Sequence, residues 1–394
     1  MLRPSPIIMA KLKNPLRILQ VTEASSAGVG LHVISLAQSL VSAGHEVHLI
    51  YSPLRIDKVF EAGFAQIPAL RGVSLDMHRN LHPSDFLAVR LIRRYAHTHG
   101  PFDILHGHSS KGGALLRLAG IGLPGAKIYT PHALITQDPS LSRLKRIFYE
   151  WAEKIMAKFT DMFIAETNEE HEQLRRLGVL SGKIVIIPNG LKTPNLPDRQ
   201  VTRARLNLAE DETVIGFVGR FVSQKGPEIL LRALAILMER FQGLKITLIM
   251  VGDGDLREKL SEMARRLEIA PRVRWMGEVP WDQQMPAFDI LALPSLYEGM
   301  PYVLIEALFA GLPIVATKVG GAKLLVEPEV NGYLVPRGDS QSLARALGEL
   351  IIDPAKRSKF GKASLQKSQF FTLDNMTSRI QSVYYRCNGN GKQI

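Results

Sequence analysis

The fold is decided by residues 16–51, which read LRILQVTEASSAGVGLHVISLAQSLVSAGHEVHLIY. The stretch begins with an apolar strand pattern at residues 16–21 and continues into the small, polar loop TEASSAGVG. Apolar residues then recur with helical spacing over about residues 29–43, and Gly44 stands where a helix C-cap is expected. A second apolar strand follows at residues 46–51, so the stretch predicts a βαβ unit of a parallel sheet.

The same alternation of strands and helices continues along the chain. Strand patterns lie near Ile104, Ile128, Phe163 and Val185, and a second series begins at Thr213. The strand patterns of this second series are TVIGFVG, KITLIMVG, residues 273–276, FDILALPS and PIVAT, with helical patterns near residues 227–240, 255–268, 301–310 and 340–352. Near-continuous apolar strands between helices are typical of a parallel sheet that is covered on both faces.

We predict a linker between the two series, because PNGLKTPNLPD at residues 188–198 lacks any periodicity. We predict an α/β protein with two doubly wound, Rossmann-like domains, over residues 15–190 and 191–365. Residues 1–14 form a tail, and the helix within residues 366–394 crosses back to the first domain. Open α/β sheets bind ligands at the carboxyl ends of their strands, which predicts a site in a crevice between the domains.

Composition and charge narrow the classes of function. Lysine plus arginine total 49 against 37 aspartate plus glutamate, a net charge of +12, which indicates a negatively charged partner. Anionic lipid and a phosphorylated substrate both fit. Nucleic acid is disfavoured because the cations are spread along the chain without a recognition motif or interleaved aromatic residues. The single cysteine, Cys387, excludes a disulfide framework and a cysteine zinc cluster.

The chain carries no signal for export or membrane insertion. No apolar run approaches the ~18 residues of a membrane-spanning helix, and the apolar stretch at residues 7–10 is too short for a signal peptide. We therefore expect a cytoplasmic protein. Met9 is an alternative to Met1 as the start.

A first glycine loop, Ala27-Gly28-Val29-Gly30, follows the first strand and opens a helix. Such a loop lets the backbone approach an anion at a helix N-terminus. It departs from the G-x-G-x-x-G dinucleotide fingerprint, and residues 48–51, HLIY, supply no acidic ligand for a ribose. A plain tight turn is the alternative interpretation.

Two cations follow the first strand of the second series. Arg220 comes directly after TVIGFVG, and Lys225 and Gly226 stand just before the next helix. An arginine fork and a lysine point charge at the carboxyl end of a strand suit a diphosphate. The alternative is a pair of solvated loop cations.

The stretch EGMPYVLIE at residues 298–306 carries two carboxylates eight residues apart. Glu298 lies in a predicted loop, whereas Glu306 lies on an otherwise apolar helix face. Pro301 suits the first helical position, which would aim the free N–H groups around Met300 and Tyr302 at the crevice. A buried carboxylate requires a partner, so a structural salt bridge is the alternative role for Glu306.

Several motifs in combination resemble one family. They are SSAGVGLH at 25–32, TPHA at 130–133, IPNG at 187–190, GR…KG at 219–226, VGDG at 251–254, E-x7-E at 298–306 and GLPIVATKVGG at 311–321. Over about residues 16–370 the chain resembles the retaining glycosyltransferases of the GT-B fold in family 4 (group 1), and by motif wording their bacterial polysaccharide or lipid-linked glycan members.

The resemblance implies a retaining enzyme that moves a sugar from a nucleotide-diphosphate sugar to a glycan or a polyprenyl-diphosphate-linked acceptor in cell-surface polysaccharide biosynthesis. It implies a UDP-sugar or GDP-mannose as donor and no metal or other cofactor. A non-hydrolysing nucleotide-sugar epimerase of the same fold is the alternative. A catalytically silent sugar-nucleotide-binding subunit is a third possibility.

The resemblance also implies roles for individual residues. Arg220 and Lys225 would hold the diphosphate, Glu306 the ribose hydroxyls, and Glu298 would face the donor sugar. His132 would contact that sugar near the scissile bond. The implied catalytic residues are His132, Glu298, Arg220 and Lys225, and the implied donor-binding residues are Gly28, Gly30, Asn189, Gly219, Arg220, Lys225, Gly252, Glu298, Gly299, Met300, Pro301, Tyr302, Val303 and Glu306. For Asn189, a role that only shapes the hinge is an alternative.

One motif points elsewhere. Asp253-Gly254-Asp255 has the D-x-D pattern that binds metal in a different glycosyltransferase fold. Here it follows a strand and precedes a helix, where Asp255 suits an N-cap. We therefore predict a structural role and no metal site.

The helix predicted over residues 141–159 is amphipathic and basic. Its apolar stripe is Leu144, Ile147, Phe148, Trp151, Ile155 and Phe159, and its cations are Arg143, Lys145, Arg146, Lys154 and Lys158. Such a helix can lie on an anionic inner-leaflet surface. An ordinary helix with its stripe in the core is equally consistent with the pattern.

Overall fold

The computed structural model describes residues 14–137 and 141–389. Residues 1–13 of the predicted tail, and with them the choice between Met1 and Met9, lie outside the described residues. The chain divides into two compact units, one of Met1–Gly190 with Leu373–Ile394 and one of Leu191–Thr372. Each unit contains one parallel sheet with helices between its strands, which confirms the predicted fold class of two Rossmann-like α/β domains.

The sheet of the first unit has seven described strands, all paired in parallel. They are β1 (Arg17–Thr22), β2 (Glu46–Tyr51), β3 (Arg71–Ser74), β4 (Ile104–His108), β5 (Ala126–Thr130), β6 (Met162–Ala165) and β7 (Ile184–Ile186). Their order is β3-β2-β1-β4-β5-β6-β7. The chain thus runs outward from β1 to one edge and from β4 to the other, and the carboxyl ends of β1 and β4 form the switch point at which ligands bind in such sheets.

Seven described helices belong to this unit. They are α1 (Ala27–Ser42), α2 (Lys58–Ala65), α3 (Asp85–His99), α4 (Ser110–Ala119), α5 (Arg143–Met156), α6 (Asn168–Arg176) and, from the end of the chain, α14 (Leu373–Cys387). Met376, Ile380 and Tyr384 of α14 are buried in the same core as Ile18 and Val33. The last helix therefore completes the apolar core of the first unit.

The second unit has six described strands, also all parallel. They are β8 (Thr213–Val218), β9 (Ile246–Val251), β10 (Val273–Gly277), β11 (Ile290–Leu293), β12 (Ile314–Thr317) and β13 (Gly332–Val335), in the order β10-β9-β8-β11-β12-β13. The helices are α7 (Arg199–Arg205), α8 (Pro227–Arg240), α9 (Arg257–Arg266), α10 (Tyr302–Phe309), α11 (Ala322–Leu325), α12 (Ser340–Ile352) and α13 (Pro354–Ser368). Every residue of β9 is buried, as expected for a strand covered on both faces.

Some elements were not predicted from the sequence. The edge strand β3, with sequence RGVS, has one large apolar residue and is exposed throughout, so it carries no burial pattern. Helix α13 buries only Phe360, Gly361 and two serines, too few apolar residues for a helical stripe. No helix among the described residues has the length and apolar character needed to cross a membrane.

Candidate active site

Polar side chains meet at the carboxyl edge of the first sheet. His108 ends β4, His132 follows β5 by two residues, and Glu166 comes directly after β6. His32 reaches the same place from α1, and Asn189 from the segment after β7. Parallel strands bring their carboxyl ends to one edge, so residues from five separate parts of the chain form one cluster.

Short contacts connect the members of this histidine cluster. His132 Nδ1 lies 2.5 Å from Glu166 Oε1, and His132 Nε2 lies 3.1 Å from His108 Nδ1. His32 Nδ1 lies 2.9 Å from Asn189 Oδ1. The structure therefore brings His132 and Asn189, both predicted as site residues, into one cluster with three residues that were not.

Burial controls the charge of the cluster. Desolvation lowers the pKa of His32 to about 3, with the neighbouring His132 adding to the fall, and burial alone lowers the pKa of His132 to about 3. The pKa of His108 lies well below its ordinary value for the same first reason. Burial raises the pKa of Glu166 to about 7. At neutral pH the three imidazoles are therefore uncharged.

The backbone at His132 is strained and is held by a second carboxylate. His132 and Ala133 have φ of 55° and 82°, in the left-handed region that is costly for residues other than glycine. Glu170 accepts from Ala133 N at 3.0 Å through Oε1 and from Glu166 N at 2.7 Å through Oε2. Burial raises the pKa of Glu170 to about 8, and the nearby Glu166 adds to the rise. This carboxyl group fixes the backbone of both His132 and Glu166.

Glu166 and Glu170 were not predicted as site residues, although the sequence around Glu170 contains a helix-capping pattern. Thr167 and Glu170 have the T-x-x-E spacing of a capping box, and the Thr167 hydroxyl accepts from Glu170 N at 3.1 Å. The side chain of Glu170 reaches the N–H of Glu166, one residue before the cap. The spacing predicts that Glu170 lies at the start of a helix, but it does not predict the hydrogen bond from Ala133 N.

The predicted glycine loop differs from expectation. Gly28 and Gly30 lie in the first turn of α1, not in a loop before it. A Cβ on Gly30 would approach Ser25 C to 2.8 Å, so close packing requires glycine there. Ala27 N donates to Asp57 Oδ2 at 2.7 Å. A carboxylate of the chain itself already accepts from the first N–H group of this helix.

The second unit forms a charged cluster at the carboxyl ends of its strands. Lys225 Nζ lies 2.6 Å from Glu298 Oε1, and Ser295 donates its hydroxyl to the same oxygen at 2.7 Å. Arg220 follows β8 by two residues and is exposed. The structure thus pairs Lys225 with Glu298, for which the family resemblance implied separate roles, and leaves Arg220 open to solvent.

Glycines bring the loops of this cluster together. Gly252 has φ of 125°, and a Cβ there would lie 2.1 Å from Gly219 O, so the loops after β8 and β9 touch through their backbones. A Cβ on Gly320 would lie 2.2 Å from Glu298 O, and Gly321 N donates to Gly299 O at 2.6 Å. The glycine pair that ends GLPIVATKVGG therefore braces the loop of Glu298, a role not predicted for it.

The stretch from Gly299 to Val303 differs from the prediction in the position of Pro301. Pro301 is the N-cap, with φ of −73° and ψ of 116°, and α10 begins at Tyr302. The placement of Pro301 at the first helical position is therefore wrong. Extended ψ is typical of an N-cap residue, and here it keeps Met300 buried beside Gly321.

Glu306 is buried in α10. Burial raises its pKa to about 8, against an opposing effect of Lys225 and with a smaller contribution from Asp282. Among the described residues, Glu306 forms no ion pair within 4.0 Å, and Lys225 acts on it only through a longer-range electrostatic effect. A neutral carboxyl group can both donate and accept a hydrogen bond.

The D-x-D residues are exposed and do not cap a helix. Asp253 Oδ1 accepts from Gly254 N at 2.8 Å, and α9 begins at Arg257 with Leu256 as its N-cap. The N-cap role predicted for Asp255 is therefore wrong, because the chain makes a further turn before the helix starts.

Two family models match almost the whole chain. Residues 26–193 match Glycosyltransferase Family 4, and residues 198–367 match Glycosyl transferases group 1. A UDP-Gal:alpha-D-GlcNAc-diphosphoundecaprenol alpha-1,3-galactosyltransferase of Escherichia coli is 31% identical over 266 residues, which are 64% of this chain and 67% of that protein. The chain belongs to the group 1, family 4 glycosyltransferases. It is therefore a glycosyl-transferring enzyme and not the epimerase considered as an alternative.

Further glycosyltransferases are similar to this chain over nearly its full length. A D-inositol 3-phosphate glycosyltransferase of Corynebacterium diphtheriae is 29% identical over 397 residues, 93% of this chain and 91% of that protein. Sucrose-phosphate synthase from Thermosynechococcus elongatus superposes with a TM-score of 0.80 at 24% identity and covers 94% of this chain and 98% of its own. Anabaena Alr3699/HepE in complex with UDP gives a TM-score of 0.78 at 24% identity, over 95% and 100%. These structures establish the GT-B fold.

Proposed function

We propose that the chain transfers a sugar from a nucleotide-diphosphate sugar to a glycan or lipid-linked acceptor, with retention of configuration at the anomeric carbon. The observation that carries the proposal is the charged cluster of the second unit, where Arg220 is exposed beside β8 and Lys225 is held 2.6 Å from Glu298. Two cations at the carboxyl end of a parallel strand match the needs of a diphosphate.

Each of these groups has a role in the proposed reaction. Breaking the glycosyl–phosphate bond passes through an oxocarbenium-like transition state and builds negative charge on the departing diphosphate. Arg220 and Lys225 would stabilise that charge. Diphosphate would replace Glu298 as the partner of Lys225. The freed Glu298, still held by the Ser295 hydroxyl, would accept a hydrogen bond from a hydroxyl group of the sugar.

The remaining donor contacts follow from the same assignment. The neutral Glu306 would exchange hydrogen bonds with the ribose hydroxyls, and the backbone N–H groups of residues 299–303 would face the sugar and phosphates. His132 of the first unit would contact the sugar near the scissile bond, with Asn189 and the glycines as supporting contacts. The four supporting glycines are Gly28, Gly30, Gly219 and Gly252.

The relatives support a choice of substrates. The Alr3699/HepE structure is a complex with UDP, and the Escherichia coli relative is named for UDP-Gal and a diphosphoundecaprenol acceptor. We therefore propose a UDP-sugar as donor, with GDP-mannose as the alternative, and a polyprenyl-diphosphate-linked acceptor of cell-surface polysaccharide biosynthesis.

A direct experiment tests the function. The purified chain is screened by thermal shift against UDP- and GDP-sugars, since a bound donor raises the apparent melting temperature. The stabilising donor is then incubated with lipid-linked sugar acceptors, and released nucleoside diphosphate is measured. We expect release only when acceptor is present, and a product whose anomeric configuration by NMR is that of the donor. Inversion would contradict the retaining mechanism.

We also propose that transfer needs no metal, because Arg220 and Lys225 supply the positive charge that a metal would give the leaving group. EDTA should leave the rate of transfer unchanged, and manganese should not raise it. Loss of activity with EDTA that manganese restores would overturn this part.

A second proposal concerns the membrane surface and rests on α5. Its predicted apolar stripe is exposed rather than in the core: the exposed fraction is 80% for Leu144 and 61% for Trp151, and Ile147 and Phe148 are also exposed. Buried Glu153 holds the helix to the unit through Arg117, at 2.9 Å. We propose that this face, with the cations of α5, binds anionic lipid of the inner leaflet.

Vesicle cosedimentation tests this second proposal. We expect binding to vesicles containing phosphatidylglycerol but not to pure phosphatidylcholine, and weaker binding as salt is raised. The double variant Leu144→Ala/Trp151→Ala should lose binding, whereas Leu180→Ala, which changes an exposed leucine outside α5, should keep it. Equal binding by both variants would overturn the assignment to α5.

A further inference from the structure

Of the three histidines in the cluster, the proposed function uses only His132. Two buried ring nitrogens of the other histidines have no role in it. Nε2 of His32 and Nε2 of His108 are buried and have no hydrogen-bond partner among the described residues. Buried polar atoms in folded proteins nearly always have a partner. The Nε2 of His32, whose Nδ1 is held by Asn189, therefore requires an explanation.

The three imidazoles converge. One ring nitrogen from each of His32, His108 and His132 lies within 4.8 Å of the other two. Zinc binds histidine nitrogen at ~2.0–2.1 Å in tetrahedral geometry, which places ligand atoms about 3.3 Å apart. His108 would bind through Nδ1, which already lies 3.1 Å from His132 Nε2, and its Nε2 would then carry the ring proton. Binding of the ion would require side-chain rotations that shorten the longest separation from 4.8 Å to about 3.3 Å.

Outer hydrogen bonds orient two of the rings for this purpose. His132 presents Nδ1 to Glu166, and His32 presents Nδ1 to the side-chain oxygen of Asn189. In both rings the other nitrogen, Nε2, is directed away from these acceptors. A histidine held at Nδ1 by a carboxylate or amide oxygen, with Nε2 left for the ion, is the usual arrangement around protein-bound zinc.

The charge of the histidine cluster and its neighbour Glu166 is also suited to a bound cation. Each of the three imidazole side chains is buried, and each neutral ring offers one lone pair to an ion. Glu166, one hydrogen bond from His132, would offset part of the positive charge of an ion. The exposed D-x-D residues Asp253 and Asp255 lie in the other unit and take no part in this cluster.

We propose that His32, His108 and His132 form a binding site for a divalent transition-metal ion of the zinc class, with three nitrogen ligands and a fourth position open to water. Imidazole ligands favour Zn²⁺, Co²⁺ and Ni²⁺, whereas Mg²⁺ and Mn²⁺ prefer oxygen. An ion bound here would occupy Nε2 of His132, the residue that the proposed function places beside the donor sugar. The ion therefore inhibits transfer, and this second part rests on the proposed function.

Metal binding by the full chain tests the site independently of activity. The protein is stripped with chelator, titrated with Co²⁺ while its visible absorption is followed, and then titrated with Zn²⁺ against a chromophoric chelator. We expect one ion per chain, the intense absorption of tetrahedral Co²⁺ and its loss on addition of Zn²⁺. Mn²⁺ and Mg²⁺ at the same concentration should not displace Co²⁺.

Variants locate the site. His32→Gln and His108→Gln should each weaken Zn²⁺ binding at least tenfold, and Glu166→Gln should weaken it by about 10–100-fold through the orientation of His132. His97→Ala, an exposed histidine of α3, is the matched control and should bind as the parent does. Circular dichroism of the metal-free variants verifies that each is folded.

The outcomes separate this proposal from the proposed function. Absence of one-to-one binding by the parent, or unchanged binding in both histidine variants, overturns the site even if transfer is observed. Stoichiometric binding that leaves transfer unaffected upholds the site and overturns the placement of His132 at the donor sugar. Stoichiometric binding with inhibition that EDTA reverses supports both.

Discussion

The two units hold their polar groups in opposite ways. In the first unit, the imidazoles of His32, His108 and His132 are buried and uncharged. The rings of His132 and His32 are fixed by hydrogen bonds to the side-chain oxygens of Glu166 and Asn189, respectively. In the second unit, the groups proposed to bind the donor are charged: Lys225 is paired with Glu298, and Arg220 is exposed. The first arrangement gives fixed geometry. The second can exchange one charged partner for another, which is what a site for a diphosphate requires.

The largest expected effect removes the charge of the second unit. Arg220→Ala and Lys225→Ala should each lower the rate of transfer about a hundredfold or more, because each removes a group that stabilises negative charge in the transition state. Steady-state kinetics with the stabilising donor measures the loss. Lys245→Ala, which changes a cation at the amino end of β9, is the control and should retain the parental rate. Near-parental rates for both site variants would refute the assignment.

Glu306 tests whether the second unit also contains a neutral buried group. Its pKa is raised from 4.5 to about 8, so unfolding releases its proton between these values. The stability that Glu306 contributes is therefore full below about pH 4.5 and is lost as pH rises to about 8.

Urea unfolding at several pH values measures this effect. The free energy of unfolding of the parent minus that of Glu306→Gln should fall across this window and level off above it. A difference that stays constant with pH would show that Glu306 is ionised in the folded protein.

Glu170 tests how rigidly the first unit is held. In Glu170→Gln, a single side-chain oxygen cannot accept from both Ala133 N and Glu166 N, so one buried N–H group loses its acceptor. The free energy of unfolding should fall by about 1–3 kcal/mol in urea titrations. Glu172→Gln, on the exposed side of α6, should change it by less than about 0.5 kcal/mol. Equal stabilities would indicate that Glu170 does not hold this turn.

The smallest expected effect concerns Asp57, whose carboxylate accepts from Ala27 N of α1 and Phe60 N of α2. Asp57→Ala should lower the free energy of unfolding by about 1 kcal/mol, as for other lost N-caps. Asp57→Asn keeps one acceptor oxygen, so it should lose one of the two hydrogen bonds and about half of that free energy. A loss of equal size in both variants would point to the charge rather than the hydrogen bonds.

Much of the fold could be read from local patterns. The strand at residues 46–51 and the helices Pro227–Arg240 and Ser340–Ile352 have the predicted bounds, since their apolar spacing and end signals agree. The exposed strand β3 and the polar helix α13 could not be predicted, because neither buries enough apolar surface to leave a pattern.

The candidate site was predictable only in part. Arg220, Lys225 and Glu298 stand at strand ends in recognisable motifs, so the sequence pointed to them directly. Glu166 and Glu170 lie in the short stretch ETNEE, where acidic residues at a helix start are ordinary. Only their burial and their contacts with His132 and Ala133 distinguish them.

By itself, the sequence determined the alternation of strands and helices, the two-domain α/β class and the motifs of the family, because periodicity and end signals act over a few neighbouring residues. Tertiary structure decided which side chains meet. His32 and Asn189 are 157 residues apart, and Lys225 and Glu298 are 73 apart, yet each pair is within hydrogen-bonding distance. Strand order brings these residues to one edge of a sheet, and the burial that results sets their charge.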